Sequence, residues 1–219
     1  MFVSFEGGDG SGKSTQAKLL VESLRTQGLD VIHTREPGGS TGAEEIRGLI
    51  LSGEPDRWSP ETELLLFNAA RRDHLEKTII PALERGAIVV SDRFADSTRV
   101  YQGVTRGDLR GLVDSLHTLM IGKEPDLTIV MKMPADEALR RGMSRNTTAL
   151  ESEGVDEGRF ELFGLDFQKK LTAGFDALTD EFPDRCVGVD ASGSIEEVAE
   201  RVMTAYLNHE AARLSQMTP

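Results

Sequence analysis

The run Gly7-Gly8-Asp9-Gly10-Ser11-Gly12-Lys13-Ser14 constrains this chain more than any other stretch. It fits the pattern G-x4-G-K-[ST], and Thr15 follows it. Before it stands a short apolar run, Val3–Phe5. After it Ala17, Leu20, Val21 and Leu24 recur at helical spacing, with Gly28 as the stop. A strand that feeds a glycine-rich turn into a helix is a phosphate cradle. Glycines let backbone N–H groups wrap the phosphates, and the helix N-terminus adds positive potential. Lys13 is then expected to reach the β- and γ-phosphates of a nucleotide, and the Ser14 hydroxyl to ligate Mg²⁺. Gly7 through Thr15 is thus the expected nucleotide-binding segment. The motif identifies an NTP site and leaves open what the γ-phosphate is used for.

The rest of the chain alternates in the same way. Val31–His33, Ala87–Val90, Leu127–Met131 and Val187–Val189 read as further strands; Val3–Phe5 and Ala87–Val90 are short, uninterrupted and bounded by turn or charged residues, as buried parallel strands should be. Between them lie helices. One is expected to start near Thr41 with Glu44 completing a capping box, and to end near Gly53. A long one should start at Ser59-Pro60, an N-cap and N1 pair, and be kinked or interrupted by Pro81. Others fall near 108–121, 135–145, 160–181 and 195–213. This pattern predicts an α/β domain: a five-stranded parallel sheet with helices on both faces. Asn146–Gly158, with Glu151, Glu153, Asp156, Glu157 and two glycines, reads as a mobile loop, and Arg213–Pro219 as a frayed end.

At 219 residues the chain is one domain, able to bury roughly 70–75% of its unfolded surface without a disulfide or metal. Its net charge of −12 argues against non-specific nucleic-acid binding, which needs an electropositive face. One cysteine, Cys186, excludes a disulfide framework and multi-Cys zinc patterns, and its place at a strand start predicts a buried, inert thiol. No apolar run approaches a membrane span, and no secretory signal is visible, so a cytoplasmic protein is expected.

An NTP site can serve a switch, a motor or a kinase. None of the lysines stands in an Asn-Lys-x-Asp guanine reader. A small kinase needs a second anion site. Arg35, Arg47, Arg71, Arg93 and Arg99, concentrated near predicted strand ends of an acidic chain, are candidates for one. Kinases of several nucleosides or nucleoside monophosphates, and an NTP-dependent switch without transfer, remain open at this point.

Five blocks narrow the choice: Phe5-Glu6-Gly7-Gly8-Asp9-Gly10-Ser11-Gly12-Lys13-Ser14-Thr15, Thr34-Arg35-Glu36-Pro37-Gly38-Gly39, Phe67-Asn68-Ala69-Ala70-Arg71, Asp92-Arg93-Phe94-Ala95-Asp96-Ser97-Thr98-Arg99-Val100-Tyr101-Gln102-Gly103, and Pro125-Asp126-Leu127-Thr128. In order and spacing they resemble the bacterial thymidylate kinase family, over nearly the whole chain. The Gly-x-Pro-Gly-x-Gly-Lys-Gly-Thr loop of adenylate kinases is absent.

The resemblance implies a nucleoside monophosphate kinase fold with a lid at about 145–159, transfer of the γ-phosphoryl of ATP to dTMP with Mg²⁺, and a homodimer. It implies that Asp9 accepts from the deoxyribose 3′-OH, that Phe67 stacks on thymine and that Arg71 donates to its O4. Ser97, Thr98 and Gln102 fall in the acceptor site, the last two at the polar edge of the base, with Tyr101 against C2′ of the sugar. Glu36 and Pro37 line that site, and Arg47 and Arg93 hold the acceptor phosphate. Asp92, at the end of the third strand, binds Mg²⁺ through water, and Arg141 packs on adenine. The family carries one catalytic arginine in the P-loop or in the lid. The loop here has none, so the resemblance implies a lid arginine, Arg159 or Arg145.

Overall fold

The structure, a computed structural model, describes residues 1–54, 56–105, 107–153 and 163–217; for 145–153, 216 and 217 it describes the backbone only. Among the described residues five strands form one parallel sheet: β1 (Phe2–Glu6), β2 (Val31–Arg35), β3 (Ile88–Asp92), β4 (Leu127–Lys132) and β5 (Cys186–Asp190), in the order β2-β3-β1-β4-β5. The five expected strands are all present.

Strand alternation decides which side chain meets which layer. Val3 and Phe5 of β1 pack with Leu20, Val21 and Leu24 of α1 (Lys13–Thr26) and with Val198 and Val202 of α9 (Ile195–Met217). Phe2 points the other way, into Leu75, Ile79 and Phe94, with its ring edge-on to Phe94 at 4.8 Å. A third cluster joins Val130 and Cys186 to Phe167, Leu171, Phe175 and Leu178 of α8 (Gly164–Glu181). Each fully buried phenylalanine stabilises the fold by about 1.5–3 kcal/mol. Truncating Phe5 to alanine would cost about 3–5 kcal/mol, because a cavity is left between two rigid layers. Cys186 is buried and its thiol is pushed up to about 12, chiefly by burial, as an inert core residue should be.

Helix boundaries follow local chemistry. Ser59 caps α3 (Pro60–His74) by accepting from Thr62 N at 3.1 Å. Pro81 lacks an N–H, and the helix interruption expected there takes the form of a π turn, Leu75–Ile79, before α4 (Ile80–Glu84). The capping box at Thr41 is not formed. Ser40 is the N-cap of α2 (Thr41–Leu51), and its hydroxyl is drawn to Asp73 at 2.6 Å, while Glu44 instead accepts from Gly39 N. The remaining helices are α5 (Ala95–Val100), continued by a π turn over Tyr101–Thr105, α6 (Arg110–Leu116) and α7 (Ala135–Glu153).

One expectation needs correction. The backbone from Asn146 to Glu153 is helical, a continuation of α7, not a loop; residues 154–158 lie outside the described residues. The backbone from Arg213 to Met217, where a frayed end is expected, continues α9, and 218–219 lie outside the described residues. Glutamates and alanines are good helix formers, so an acidic run without proline continues a helix as readily as it forms a loop. In the last turn of α9, Arg213 pairs with Glu210 at 2.7 Å.

Candidate active site

The site lies beyond the C-terminal ends of β1 and β3, where ligands bind in open parallel sheets. Pairing of Phe5 with Asp92 brings the glycine loop leaving β1 beside the carboxylate that ends β3. Ser14, in the first turn of α1, donates from its hydroxyl to Asp92 Oδ2. These are two hard oxygen donors at one point. No cluster of three or more His, Cys, Asp or Glu side chains able to hold a metal occurs among the described residues. A pair of oxygen donors without a full protein cage suits Mg²⁺, which keeps waters and phosphate oxygens as its other ligands.

Glycine is required in the loop for space as well as for conformation. Gly10 has φ +83°, and a Cβ there would lie 2.2 Å from the carbonyl oxygen of Ala138 and 2.6 Å from the Gly142 nitrogen. Helix α7 therefore sits directly on the loop. Lys13 folds back over the loop, with its ammonium donating to Gly8 O at 2.7 Å.

A cleft of about 950 Å³ runs from this loop to the segment after β3. On its walls lie Asp9, Gly10, Ser11, Gly12, Lys13, Ser14 and Thr15, then Glu36, Pro37, Arg47, Phe67, Asp92 and Arg93, and then Ser97, Thr98, Tyr101, Gln102 and Arg141. Almost every expected site residue is thus gathered in one space. Gly7, Gly8 and Arg71 stand just behind the wall. Arg159 lies outside the described residues, as does the side chain of Arg145, whose backbone is one turn beyond Arg141 on α7. Arg35 also lines the cleft and pairs with Glu44 at 3.1 Å. Arg99 does not. It is turned away from Thr98 and Gln102 and pairs with Asp96, Asp114 and Glu124, so it is no part of the anion site.

Arg93 is the centre of the cleft. It is the one non-glycine residue with positive φ among the described residues, at 71°. Such a backbone costs of order 1–3 kcal/mol and persists only where its surroundings hold it. Here Arg93 N donates to Phe5 O at 2.9 Å, and Ser91 Oγ donates to Arg93 O at 2.7 Å. The guanidinium donates to Asp9 Oδ1, to Gly7 O at 3.1 Å and to Ser97 Oγ at 2.9 Å, while Tyr101 donates to Asp9 Oδ2 at 2.7 Å. Burial opposes the charge, but Tyr101, Asp9, Glu6 and Asp92 outweigh it and hold the guanidinium pKa above its ordinary value. A cation fixed at this point is a ready partner for anionic phosphate.

Helix α3 supplies the far wall. Arg71 Nε donates to Glu36 Oε2 at 2.7 Å, and its Nη2 donates to Thr98 Oγ1 at 2.9 Å and to Phe94 O at 3.1 Å. Arg47, on α2, donates to Pro37 O at 2.7 Å. The Glu36-Pro37 peptide is cis.

Some wall and support residues carried no motif. Ala191, Gly193, Ser194, Ile195 and Val198 line the end of the cleft beyond β5, and Gln16 Nε2 donates to Ile195 O at 3.0 Å. Their signal was positional, a glycine-containing turn at the C-terminal end of a predicted parallel strand. Glu6 is fully buried beneath Arg93 and accepts from Phe94 N at 2.8 Å and Ser97 Oγ at 2.6 Å. Burial pushes its carboxyl up to about 7, with Asp96 acting in the same direction and Arg93, Ser97 and Phe94 N–H opposing. Its sequence signal was its place in the first of the five blocks, a charged residue directly after Phe5.

Comparison with known proteins agrees with this geometry. A family model described as thymidylate kinase matches residues 5–202. Thymidylate kinase of Dinoroseobacter shibae is 62% identical over 201 residues, which cover 92% of this chain and 93% of that protein. Thymidylate kinase of Jannaschia sp. is 59% identical over 204 residues, covering 93% and 94%. The crystal structure of thymidylate kinase from Ehrlichia chaffeensis superimposes with a TM-score of 0.74 at 33% identity, over 94% of this chain and 98% of that one. With a P-loop, a strand-end aspartate and an arginine-centred cleft in one frame, and matches spanning almost the whole sequence, the chain belongs to the thymidylate kinase family.

Proposed function

We propose that this chain transfers the γ-phosphoryl group of ATP to the phosphate of dTMP, giving ADP and dTDP. The observation that carries the reading is the single cleft, with a phosphate cradle at one end and Phe67, Thr98, Tyr101 and Gln102 at the other. In it an acceptor phosphate meets Arg93 and Arg47 while the P-loop backbone and Lys13 hold the donor phosphates. Arg141, on the wall beside the P-loop, packs on adenine.

A phosphate monoester is largely a dianion at neutral pH, so the attacking oxygen needs no general base. Catalysis consists of placing it in line with the γ-phosphorus and neutralising charge on the transferring group. Lys13, Arg93 and an arginine of the lid, at about 145–159, supply positive charge. Ser14 directly and Asp92 through water would hold Mg²⁺, which supplies further charge neutralisation on the phosphates. Asp9, held by Tyr101 and Arg93, takes the sugar hydroxyl, and Tyr101 closes the space at C2′ against a ribose. Phe67 stacks on the base, Arg71 donates to O4, and Gln102 meets N3.

Leu119, 79% exposed on the π turn that follows α6, and Leu65, 58% exposed on α3, support a homodimer formed through this flank. No helix among the described residues is long and apolar enough to cross a membrane. A soluble cytoplasmic enzyme acting on free nucleotides, with no nucleic-acid or membrane partner, accords with the net charge of −12. Coupled ADP release measured side by side with dTMP, dUMP, dCMP and AMP tests the reading. Fastest turnover per unit concentration with dTMP is expected; equal or faster turnover with AMP or dCMP overturns it.

A further inference from the structure

Glu63, Phe67 and Arg71 recur every four residues along α3 and form one stripe. Thr98 on α5 and Gln102 on the π turn after it, also four apart, form a facing stripe. Two hydrogen bonds join the stripes. Arg71 Nη2 donates to Thr98 Oγ1 at 2.9 Å, and Gln102 Nε2 donates to Glu63 Oε1 at 2.7 Å. Phe67, midway along α3 between the two bonds, lines the cleft. Glu63 is fully buried, and Gln102 is 1% exposed although it forms part of the cleft wall.

We propose that Glu63 sets base specificity by locking the Gln102 amide with its oxygen toward the acceptor base; this deepens, and rests on, the function proposed above. A carboxylate accepts hydrogen bonds and donates none. The Gln102 amide must therefore turn its NH₂ to Glu63, which leaves Oε1 on the opposite branch. Among the described residues no hydrogen bond reaches that oxygen. Thymine and uracil present O4 as an acceptor and N3–H as a donor. Cytosine presents the reverse, an N4 amine and an N3 lone pair. Arg71, which only donates, matches O4, and the locked amide oxygen matches N3–H. Against cytosine both contacts become like against like. Two buried carboxylates, Glu36 behind Arg71 and Glu63 behind Gln102, thus orient the two groups that read the base. Glu63 is a positioning residue, since it acts through Gln102. A site whose buried groups are left unpaired by the wrong ligand discriminates far more strongly than an apolar pocket does.

The test is Glu63→Gln, which keeps the shape but offers both a donor and an acceptor, so the Gln102 amide is free to turn. The readout is kcat/KM for dTMP, dUMP and dCMP. The dTMP-to-dCMP ratio is expected to fall by about tenfold or more. The dTMP-to-dUMP ratio should stay within about twofold, because those two bases share the edge that the amide reads. General loosening of the site would move both ratios. The swap Glu63→Gln with Gln102→Glu restores an acceptor-only group at position 102, held by an amide, and should return the dTMP-to-dCMP ratio toward that of the unsubstituted chain. It serves as the test if the single variant fails to fold. A folded Glu63→Gln enzyme with an unchanged dTMP-to-dCMP ratio, or a folded swap with no selectivity against dCMP, overturns the inference while leaving the proposed function in place. Failure of the unsubstituted chain to use dTMP overturns both.

Discussion

His74 Nδ1 lies 3.1 Å from Glu36 Oε1, and the other oxygen of that carboxylate takes Arg71 Nε at 2.7 Å. His74 is fully buried. Its Nδ1 faces an acceptor and so carries a proton, and its Nε2 shares a hydrogen bond with Thr34 Oγ1 at 2.6 Å. Gly39 makes room for this bond: a Cβ there would come within 2.4 Å of both Nε2 and Thr34 Oγ1. The arginine assigned to base reading is therefore held from behind by a chain of hydrogen bonds that runs to the end of β2.

That geometry gives a first prediction. Removing a charge-assisted hydrogen bond costs about 1.5–3 kcal/mol. Arg71→Ala should raise the KM for dTMP by tens-fold and leave the KM for ATP within about threefold. Steady-state kinetics with each nucleotide varied in turn checks it. An unchanged KM for dTMP in a folded variant removes Arg71 from base recognition.

Lys13 gives a second. Its ammonium closes the glycine loop onto Gly8 O and is aimed, in the proposed reaction, at the transferring phosphoryl group. Lys13→Ala should lower kcat by about 10²–10³-fold, with Tm changed by only a few degrees. Near-normal turnover would refute the donor-site assignment.

Much of this was legible in the chain and some of it was not. The sheet could be read because its first and third strands are short apolar runs bounded by turn or charged residues and the others alternate with helical segments, and the cleft because its motifs sit at strand ends. The helical course of 146–153 was missed because an acidic run with glycines nearby has the composition of a loop, while the alanine and glutamates within it favour a helix. Ser40 rather than Thr41 is the N-cap, and its hydroxyl bonds Asp73, a partner 33 residues away that no local pattern announces. The same holds for Arg99: besides Asp96, three residues away, its partners Asp114 and Glu124 are remote in sequence. Spacing placed Phe67 with Arg71 and Thr98 with Gln102, but only the fold could bring the carboxylates of Glu63 and Glu36 up behind them.

Glu6 gives a pH prediction. Its carboxyl titrates near the ordinary 4.5 when unfolded and is pushed up to about 7 when folded, chiefly by burial. Between those values the native state binds the extra proton, so the stability that Glu6 contributes falls as pH rises from 4.5 to about 7 and is level above it. Glu6→Gln keeps the shape and removes the titration. The difference in Tm between the variant and the unsubstituted chain should therefore shift in the variant's favour by roughly several degrees across this window. Thermal unfolding followed at pH 5, 6, 7 and 8 measures it. A difference that does not change with pH contradicts the raised carboxyl.

The last prediction concerns the arginine proposed to act from a lid. Arg141 lines the cleft, and α7 carries the chain past Arg145 to Glu153. Later in the sequence, Gly158-Arg159-Phe160-Glu161 resembles the lid-arginine context of the family. An arginine that meets the transferring phosphoryl group only when the lid closes stabilises the transition state more than the ground state. It should therefore act on kcat and leave substrate binding nearly untouched. Such a residue is worth ~10³-fold or more in kcat. Arg159→Ala should show that loss with a KM for dTMP within about threefold, and Arg145→Ala a smaller loss. Single-turnover measurements with both nucleotides saturating separate the chemical step from product release. A larger loss in Arg145→Ala would place the catalytic charge on α7 itself, one turn beyond Arg141.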